Sequence, residues 1–244
     1  MPLVSVIMPT FNSATFVVES VASVLAQTFA DWELLIVDDA SSDDTVNVLR
    51  SIPDDRIKIF VLKANAGPAA ARNAAIRQAQ GRYIAFLDAD DIWLPMKLER
   101  QLGFMRQRGA SFSYTSYEKI DESGAVIGRR DVPPWTTYNR LLADNVIGCL
   151  TAMYDRQQCG RVEMPPIRKR QDLGLWLRLA AKCDRIYGLQ EVHAQYRIRR
   201  DSISANKFIA AQYTWKLYYE VEKIPLPKAI WYFSRYAVGG LLKH

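Results

Sequence analysis

Tyr83-Ile84-Ala85-Phe86-Leu87-Asp88-Ala89-Asp90-Asp91 is the stretch on which the fold turns. A run of apolar and aromatic residues ends in three carboxylates within four positions. Such a run predicts a buried strand of a parallel sheet. Acids at its C-terminal end would stand in the crevice where open α/β sheets bind ligands. Three neighbouring acids repel one another, and burial raises the pKa of each. A divalent cation relieves both effects. Hard oxygen ligands suit Mg2+ or Mn2+, and a bound diphosphate can supply the remaining oxygens. The plainer alternative is a solvated acidic turn that caps the following helix.

Upstream of this stretch, strand and helix signals alternate. Leu3 to Met8 is a short β-rich run ended by Pro9, and Val17, Val21, Val24 and Leu25 follow at helical spacing. Trp32 to Val37 is a second strand, closed by Asp38-Asp39. Ser41-Ser42-Asp43-Asp44 reads as a turn with an N-cap, with Val46 and Leu49 on one helix face. Ile57 to Leu62 is a third strand, and Ala69 to Ala79 an Ala-rich helix before Gly81. This βαβαβαβ order predicts an α/β fold with a mostly parallel central sheet flanked by helices.

Downstream the pattern changes. Pro95 to Arg108 reads as a helix, and Ser111 to Tyr117 and Ala125 to Ile127 as strands around the turn Asp121-Glu122-Ser123-Gly124. Leu173 to Ala181 is a helix and Glu191 to Arg197 a late strand. Both regions are expected to share one sheet, giving a single domain over residues 1–207 and an aromatic helical extension over 208–244.

With 244 residues, 49% of them hydrophobic, the chain has enough apolar side chain for one full core. The net charge of +6 is modest. Its basic clusters, Arg168-Lys169-Arg170 and Arg197-Ile198-Arg199-Arg200, point to a local anionic ligand rather than to nucleic acid. Cys149, Cys159 and Cys183 have neither metal-site spacing nor an even count, so free thiols are expected. The N-terminus lacks the basic and apolar regions of a signal peptide. The longest apolar candidate, Ala229 to Leu242, falls short of the roughly 20 residues a bilayer span needs.

The loops after the first, second and fourth strands are Pro9-Thr10-Phe11-Asn12, Asp38-Asp39-Ala40-Ser41 and Asp88-Ala89-Asp90-Asp91. No G-x-G-x-x-G follows the first strand, and no G-x-x-x-x-G-K-[ST] occurs. A carboxylate after the second strand can accept from a base N–H or a ribose hydroxyl. It can equally cap a turn and a helix, and spacing leaves the two readings even.

These motifs resemble the family 2 glycosyltransferases of GT-A fold. The likeness runs through Val4–Asn12, Ser23–Thr28, Glu33–Ser41, Asn65–Asn73 and Gly81–Asp91, in that order, and continues to Asp172 and Tyr196-Arg197. It covers roughly residues 3–207. Phe112-Ser113-Tyr114-Thr115, Ile147-Gly148-Cys149-Leu150-Thr151 and Lys169-Arg170-Gln171-Asp172 are similar to bacterial teichuronic-acid, capsule and O-antigen transferases. The resemblance implies a nucleotide-diphosphate sugar donor, usually a UDP-sugar, in a nucleotide-binding half over 1–91, with an acceptor half over 92–207. By position, Asp39 resembles the residue that pairs with uracil, Pro9, Thr10 and Phe11 the wall around the base, and Arg72 the arginine that reaches the nucleoside. Asp88 and Asp90 match the D-x-D pair, Asp90 binding Mn2+ or Mg2+ directly and Asp88 reaching ribose or a metal-bound water. No role is assigned to Asp91.

An inverting transfer needs one carboxylate to take the acceptor's proton. Asp172, ahead of Leu173-Gly174-Leu175-Trp176, sits where a helix N-terminus would stabilise its anion. Spacing alone favours a simple cap, and the resemblance assigns it as the base. The inverting members carry Glu-Asp here, whereas this chain has Gln171-Asp172. Arg168-Lys169-Arg170 reads either as a site for diphosphate or an anionic acceptor or as a solvated loop. Tyr196-Arg197 is followed by Arg199 where many members carry His. Arginine cannot ligate a metal, so Arg199 is expected to pair with diphosphate oxygens. His193 reads as structural.

Two other readings are a metal-dependent nucleotidyltransferase and a non-catalytic sugar-nucleotide-binding subunit. The first usually has a Gly-rich loop containing Lys or Arg after the first strand, and this chain does not. The tail carries Trp215, Tyr218, Tyr219, Trp231, Tyr232, Phe233 and Tyr236, with Ile230, Phe233, Ala237 and Leu241 on one helix face and Lys228 and Arg235 on another. That pattern suits a membrane interface, and packing on the catalytic domain or on a second copy in a homodimer is the alternative. With the resemblance it implies a peripheral protein on the cytoplasmic face of the inner membrane, acting on a polyprenyl-diphosphate-linked glycan.

Overall fold

A computed structural model describes residues 1–199 and 207–242. Arg200 and Asp201 to Ser204, at the end of the late motif, lie outside the described residues. In chain order the elements are β1 (Val4–Thr10), α1 (Val17–Leu25), β2 (Trp32–Asp38), α2 (Thr45–Arg50), β3 (Ile57–Val61), α3 (Pro68–Gln78) and β4 (Tyr83–Phe86). The second half adds β5 (Ile92–Trp93), α4 (Lys97–Arg108), β6 (Phe112–Ile120), β7 (Val126–Arg130), β8 (Trp135–Thr136), α5 (Tyr138–Ala143), β9 (Met153–Asp155), α6 (Arg156–Cys159), α7 (Gln171–Ala180) and β10 (Ile186–Arg197). The tail is α8 (Lys207–Lys216), a π-helical turn over Leu217–Val221, and α9 (Leu226–Leu242).

All the strands form one sheet, ordered β3-β2-β1-β4-β9-β6-β10-β5, with β7 on β6 and β8 on β10. The four N-terminal strands are parallel, Val4 lying beside both Trp32 and Tyr83. β9 then enters antiparallel between β4 and β6 and joins the two halves of the chain. The side-chain alternation of β1 divides the core. Val4, Val6 and Met8 pack with α1 and α4 residues, while Ile7 joins Leu35, Ile84, Phe86 and the Trp176 face of α7. Ser5 shares the Ile7 face and is satisfied by Glu33, at 2.7 Å. Glu33 also accepts from Lys58 and from the Gln80 backbone N–H, at 2.8 and 2.7 Å. Gly81 closes this corner, because a Cβ there would lie 2.5 Å from the Ser5 nitrogen.

The helix expected from Pro95 begins at Lys97, since Ile92-Trp93 first pairs with β10 and the Leu94 N–H bonds the His193 carbonyl. The sequence signals missed β8, β9, α5 and α6, each of six residues or fewer and held by non-local contacts. All three cysteines are free.

The tail contributes to the core. Leu217, Tyr218 and Ala229 are fully buried, and the Tyr218 hydroxyl donates to the Leu142 carbonyl. Phe233 turns to Trp215, ring centroids 5.4 Å apart. Leu226, Ile230 and Trp231 stay 47, 51 and 60% exposed, while the side chain of Leu241 lies outside the described residues.

Lys97 is fully buried, with its Nζ 3.7 Å from the Trp93 ring centroid and no hydrogen-bond partner among the described residues. Burial lowers its pKa well below the ordinary lysine value of about 10.5. The unfolded chain therefore binds a proton that the folded chain gives up, so stability rises with pH up to that value. Lys97→Met is expected to raise stability by about 1–3 kcal/mol at neutral pH. The gain should narrow as pH approaches about 10.5. Urea unfolding of both proteins across that pH range checks it.

Candidate active site

The C-terminal ends of β1, β2 and β4 carry the loops that form the site. The first two are stitched together. The Asp39 N–H donates to the Thr10 carbonyl at 2.8 Å, the Asn12 N–H to the Ser41 hydroxyl at 2.8 Å, and the Ser42 N–H to the Asn12 side chain at 2.9 Å. Asn12 and Ala40 adopt left-handed backbones, φ 47° and 60°. Ala40 gains nothing from its side chain there and is held by its neighbours, Asp38 accepting from the Ser41 N–H at 2.8 Å.

Asp39 is buried, and its two carboxylate oxygens accept from the Ala66 and Gly67 N–H groups at 2.7 and 2.8 Å. It ties the second strand's loop to the start of α3, where Gly67 (φ 90°) and Pro68 set the helix N-terminus. Asp39 is thus an acceptor for a distant loop rather than a cap of the helix that follows it, and each oxygen keeps a lone pair for a ligand. Pro9 and Thr10 are buried, Phe11 is half exposed, and the Thr10 hydroxyl has no partner among the described residues.

Beside these loops lies the acid cluster. Asp88 pairs with the guanidinium of Arg72, which α3 brings in at 5% exposure. Nε and Nη1 of Arg72 are buried without a partner among the described residues. Burial works against the Arg72 charge, but Asp88 and, more weakly, Asp172 hold its pKa above the ordinary value. Burial pushes the Asp90 pKa up and Asp88 adds to the rise, while Arg199, 3.4 Å from Asp90, opposes it. Asp91 is 1% exposed and raised further by burial and its two neighbours.

The structure gives Asp91 a role that sequence reasoning left open. One of its oxygens accepts from the Arg197 N–H at 2.9 Å. The Arg197 guanidinium then reaches the carbonyls of Asp90, Asp121 and Glu122, at 2.9, 3.1 and 3.2 Å, and the Glu19 carboxylate at 2.6 Å. Arg197 clamps the acidic loop from below, and Arg199, two residues on, is left to meet Asp90. Both guanidiniums lie over Phe16. His193 is buried against Glu191, 3.0 Å away, with burial lowering its pKa.

Asp172 is the second residue of α7, half buried, and close enough to Arg72 and Cys149 to act on both electrostatically. The N-cap of that helix is Arg170, held left-handed at φ 63° with its guanidinium bonded to the Tyr236 hydroxyl of α9. Gln171 keeps a buried side-chain oxygen with no partner among the described residues. Arg72, Asp88, Asp90, Arg199 and Asp172 are therefore brought into one cluster, and Asp39, Pro9 and Thr10 form the adjoining wall. For a hard divalent cation the cluster fits in kind, since its donors are carboxylate oxygens. It does not fit in number, because among the described residues no three His, Cys, Asp or Glu side chains are arranged to hold a metal. Asp88 and Asp90 would need a ligand's phosphate oxygens to complete a shell.

The family model for glycosyl transferase family 2 matches residues 5–161. Over 99% of its length this chain is 45% identical to a Bacillus subtilis (strain 168) protein described as a putative teichuronic acid biosynthesis glycosyltransferase, TuaG, covering 97% of that protein. It is 40% identical to Escherichia coli WfgD, a UDP-Glc:alpha-D-GlcNAc-diphosphoundecaprenol beta-1,3-glucosyltransferase, covering 99% of this chain and 95% of the relative. Among solved structures, S. aureus TarS 1-349 in complex with UDP-GlcNAc superposes with a TM-score of 0.76 at 19% identity, over 97% of this chain and 72% of that one. The mannosyltransferase PcManGT from Pyrobaculum calidifontis, in complex with GDP-Man and Mn2+, gives 0.72 at 19% identity, over 97 and 73%. The fold is GT-A.

Removing one partner of a buried ion pair leaves the other charge uncompensated. Arg72→Met, which leaves Asp88 among Asp90 and Asp91, is expected to cost about 3–5 kcal/mol in urea unfolding at neutral pH. A loss below about 1 kcal/mol, the value of a surface pair, would show that the cluster does not depend on Arg72.

Proposed function

The chain belongs to glycosyl transferase family 2, and on that premise we propose that it is an inverting transferase of bacterial surface polysaccharide synthesis, moving a hexose from a UDP-sugar to a polyprenyl-diphosphate-linked glycan. The observation that carries this reading is the buried Arg72 guanidinium, which pairs with Asp88 and also feels the charge of Asp172. One guanidinium thereby relates the diphosphate side of the site to the candidate base.

Asp39 and the Pro9–Phe11 wall would hold the uracil, and the unpartnered donors of Arg72 and Thr10 would bond the nucleoside. Asp172 would take the proton of the acceptor hydroxyl as that oxygen bonds the anomeric carbon and the bond from that carbon to the diphosphate breaks. UDP leaves with the electron pair, and the anomeric configuration inverts. Arg199 would shift from Asp90 to diphosphate oxygens. Mn2+ or Mg2+, held by Asp90 and Asp88 with the diphosphate, would supply charge stabilisation to the leaving group.

Among the described residues no helix is long and apolar enough to cross a membrane. The exposed Leu226 and Ile230 of α9 favour peripheral contact with a membrane surface. Since Leu217, Tyr218 and Ala229 are core residues, deleting the tail would unfold what it is meant to test. Leu226→Ser with Ile230→Ser is the cleaner variant. It should weaken binding to vesicles containing anionic lipid while leaving UDP binding intact. Equal vesicle binding by variant and parent, or none by the parent, would remove the membrane claim.

The chemistry is tested by transfer and hydrolysis assays with UDP-sugars and Mn2+. Asp172→Asn should lower kcat by orders of magnitude with little change in UDP affinity, because the base acts in the transition state. Asp90→Asn should abolish turnover with the fold intact. Near-normal turnover in either variant refutes the role given to that residue. Binding of UDP-sugars without any turnover by the parent protein would leave a non-catalytic subunit.

A further inference from the structure

A groove of about 430 Å³ lies between α5 and α9, outside the acid cluster. Its walls carry two cations, Arg140 and Arg235, and two aromatic rings, Trp231 and Tyr232. Neither guanidinium has a carboxylate partner among the described residues. Arg140 lies over the Trp135 ring, 3.7 Å from its centroid, and Arg235 over Trp231 at 5.9 Å. Stacking holds both side chains while leaving their N–H forks open to an anion. The lining includes one acid, Asp144.

The chain links the groove to the site at two places. Val146 lines it, and three residues on stands Cys149, close enough to Arg72 and Asp172 to feel both charges. Arg235 lines it, and the next residue, Tyr236, bonds Arg170 at the N-cap of the helix that carries Asp172. Its other rim carries Trp231, 60% exposed, beside the exposed Ile230. The lining and its rim thus combine two cations with exposed aromatic and apolar side chains.

We propose that this groove binds the diphosphate and first isoprene units of the acceptor's lipid anchor, with Arg140 and Arg235 on the phosphates and Trp231 and Tyr232 against the chain. The proposal rests on the reading of the acceptor as a polyprenyl-diphosphate-linked glycan. An anion with an apolar chain fits both halves of the lining. A bare phosphate would use only the arginines, and a neutral lipid only the rings. Bound there, the anchor would set how far the acceptor sugar reaches towards Asp172. The donor site would not be involved.

Calorimetric titration of the full chain with farnesyl diphosphate, in the presence of saturating UDP, tests the idea. Arg140→Ala with Arg235→Ala should weaken farnesyl diphosphate by about a hundredfold or more, since each lost charge-assisted hydrogen bond is worth about tenfold or more. Lys at both positions should restore part of the loss. Trp231→Ala should weaken farnesyl diphosphate by a larger factor than inorganic diphosphate, because the ring both meets the chain and holds Arg235. UDP affinity, measured separately, should be the same in every variant, which also shows that they are folded. Equal affinity of parent and double variant, absence of farnesyl diphosphate binding by the parent, or inorganic diphosphate binding as tightly as farnesyl diphosphate would each overturn the proposal. Failure of UDP to bind the parent would count against the donor assignment and not against the groove.

Discussion

The pairing of Arg72 with Asp88 is the contact on which the site depends. Three carboxylates at the end of one strand would repel one another and unravel the loop, and burial raises the energy of each charge. Arg72 reaches them from a neighbouring helix at almost no exposure, Arg199 meets Asp90, and Arg197 holds the Asp91 oxygen through its backbone. Each acid thus has its own cationic or N–H partner, drawn from opposite ends of the chain. The loop is poised for a ligand because these partners leave open capacity: two Arg72 nitrogens and one Asp91 oxygen are unmatched among the described residues.

The second constraint is β9. Met153–Asp155 is only three residues long, yet it lies between β4 and β6 and makes the two halves one sheet. Asp155 at its end pairs with Arg82, just before β4, which fixes the register. From β9 the chain passes through α6 to Arg170, whose left-handed turn starts the helix bearing Asp172. A short strand thereby sets the distance between the acid cluster and the candidate base.

Much of this was legible in the sequence. The β1, β2 and β4 runs, and the acidic ends of β2 and β4, stand where their apolar patterns place them, because parallel strands buried on both faces carry a strong signal. Asp88, Asp90, Arg72 and Asp172, which the family resemblance singles out, lie in one cluster. What stayed hidden rests on contacts far apart in sequence. The Arg197 clamp joins residues more than a hundred positions apart, and nothing local marks Arg197 as structural while Arg199 is free to meet Asp90. Asp39 shows a different limit: its motif is clear, but only coordinates reveal its bonds to Ala66 and Gly67. In the tail, helical periodicity grouped Ile230 with Phe233, whereas packing against Trp215 divides them.

The burial of Leu217, Tyr218 and Ala229 in the same core as Trp176 has a consequence for biosynthesis. A ribosome releases the β1–β4 region early, and its local βαβ units can form while translation continues. The helix bearing Asp172 cannot complete its packing until α9 emerges, because α9 supplies both a core side chain and the Tyr236 contact to its N-cap. A nascent chain would thus form the loops after β1, β2 and β4 first and seat Asp172 only once α9 has emerged, so completion of the cluster waits on the tail.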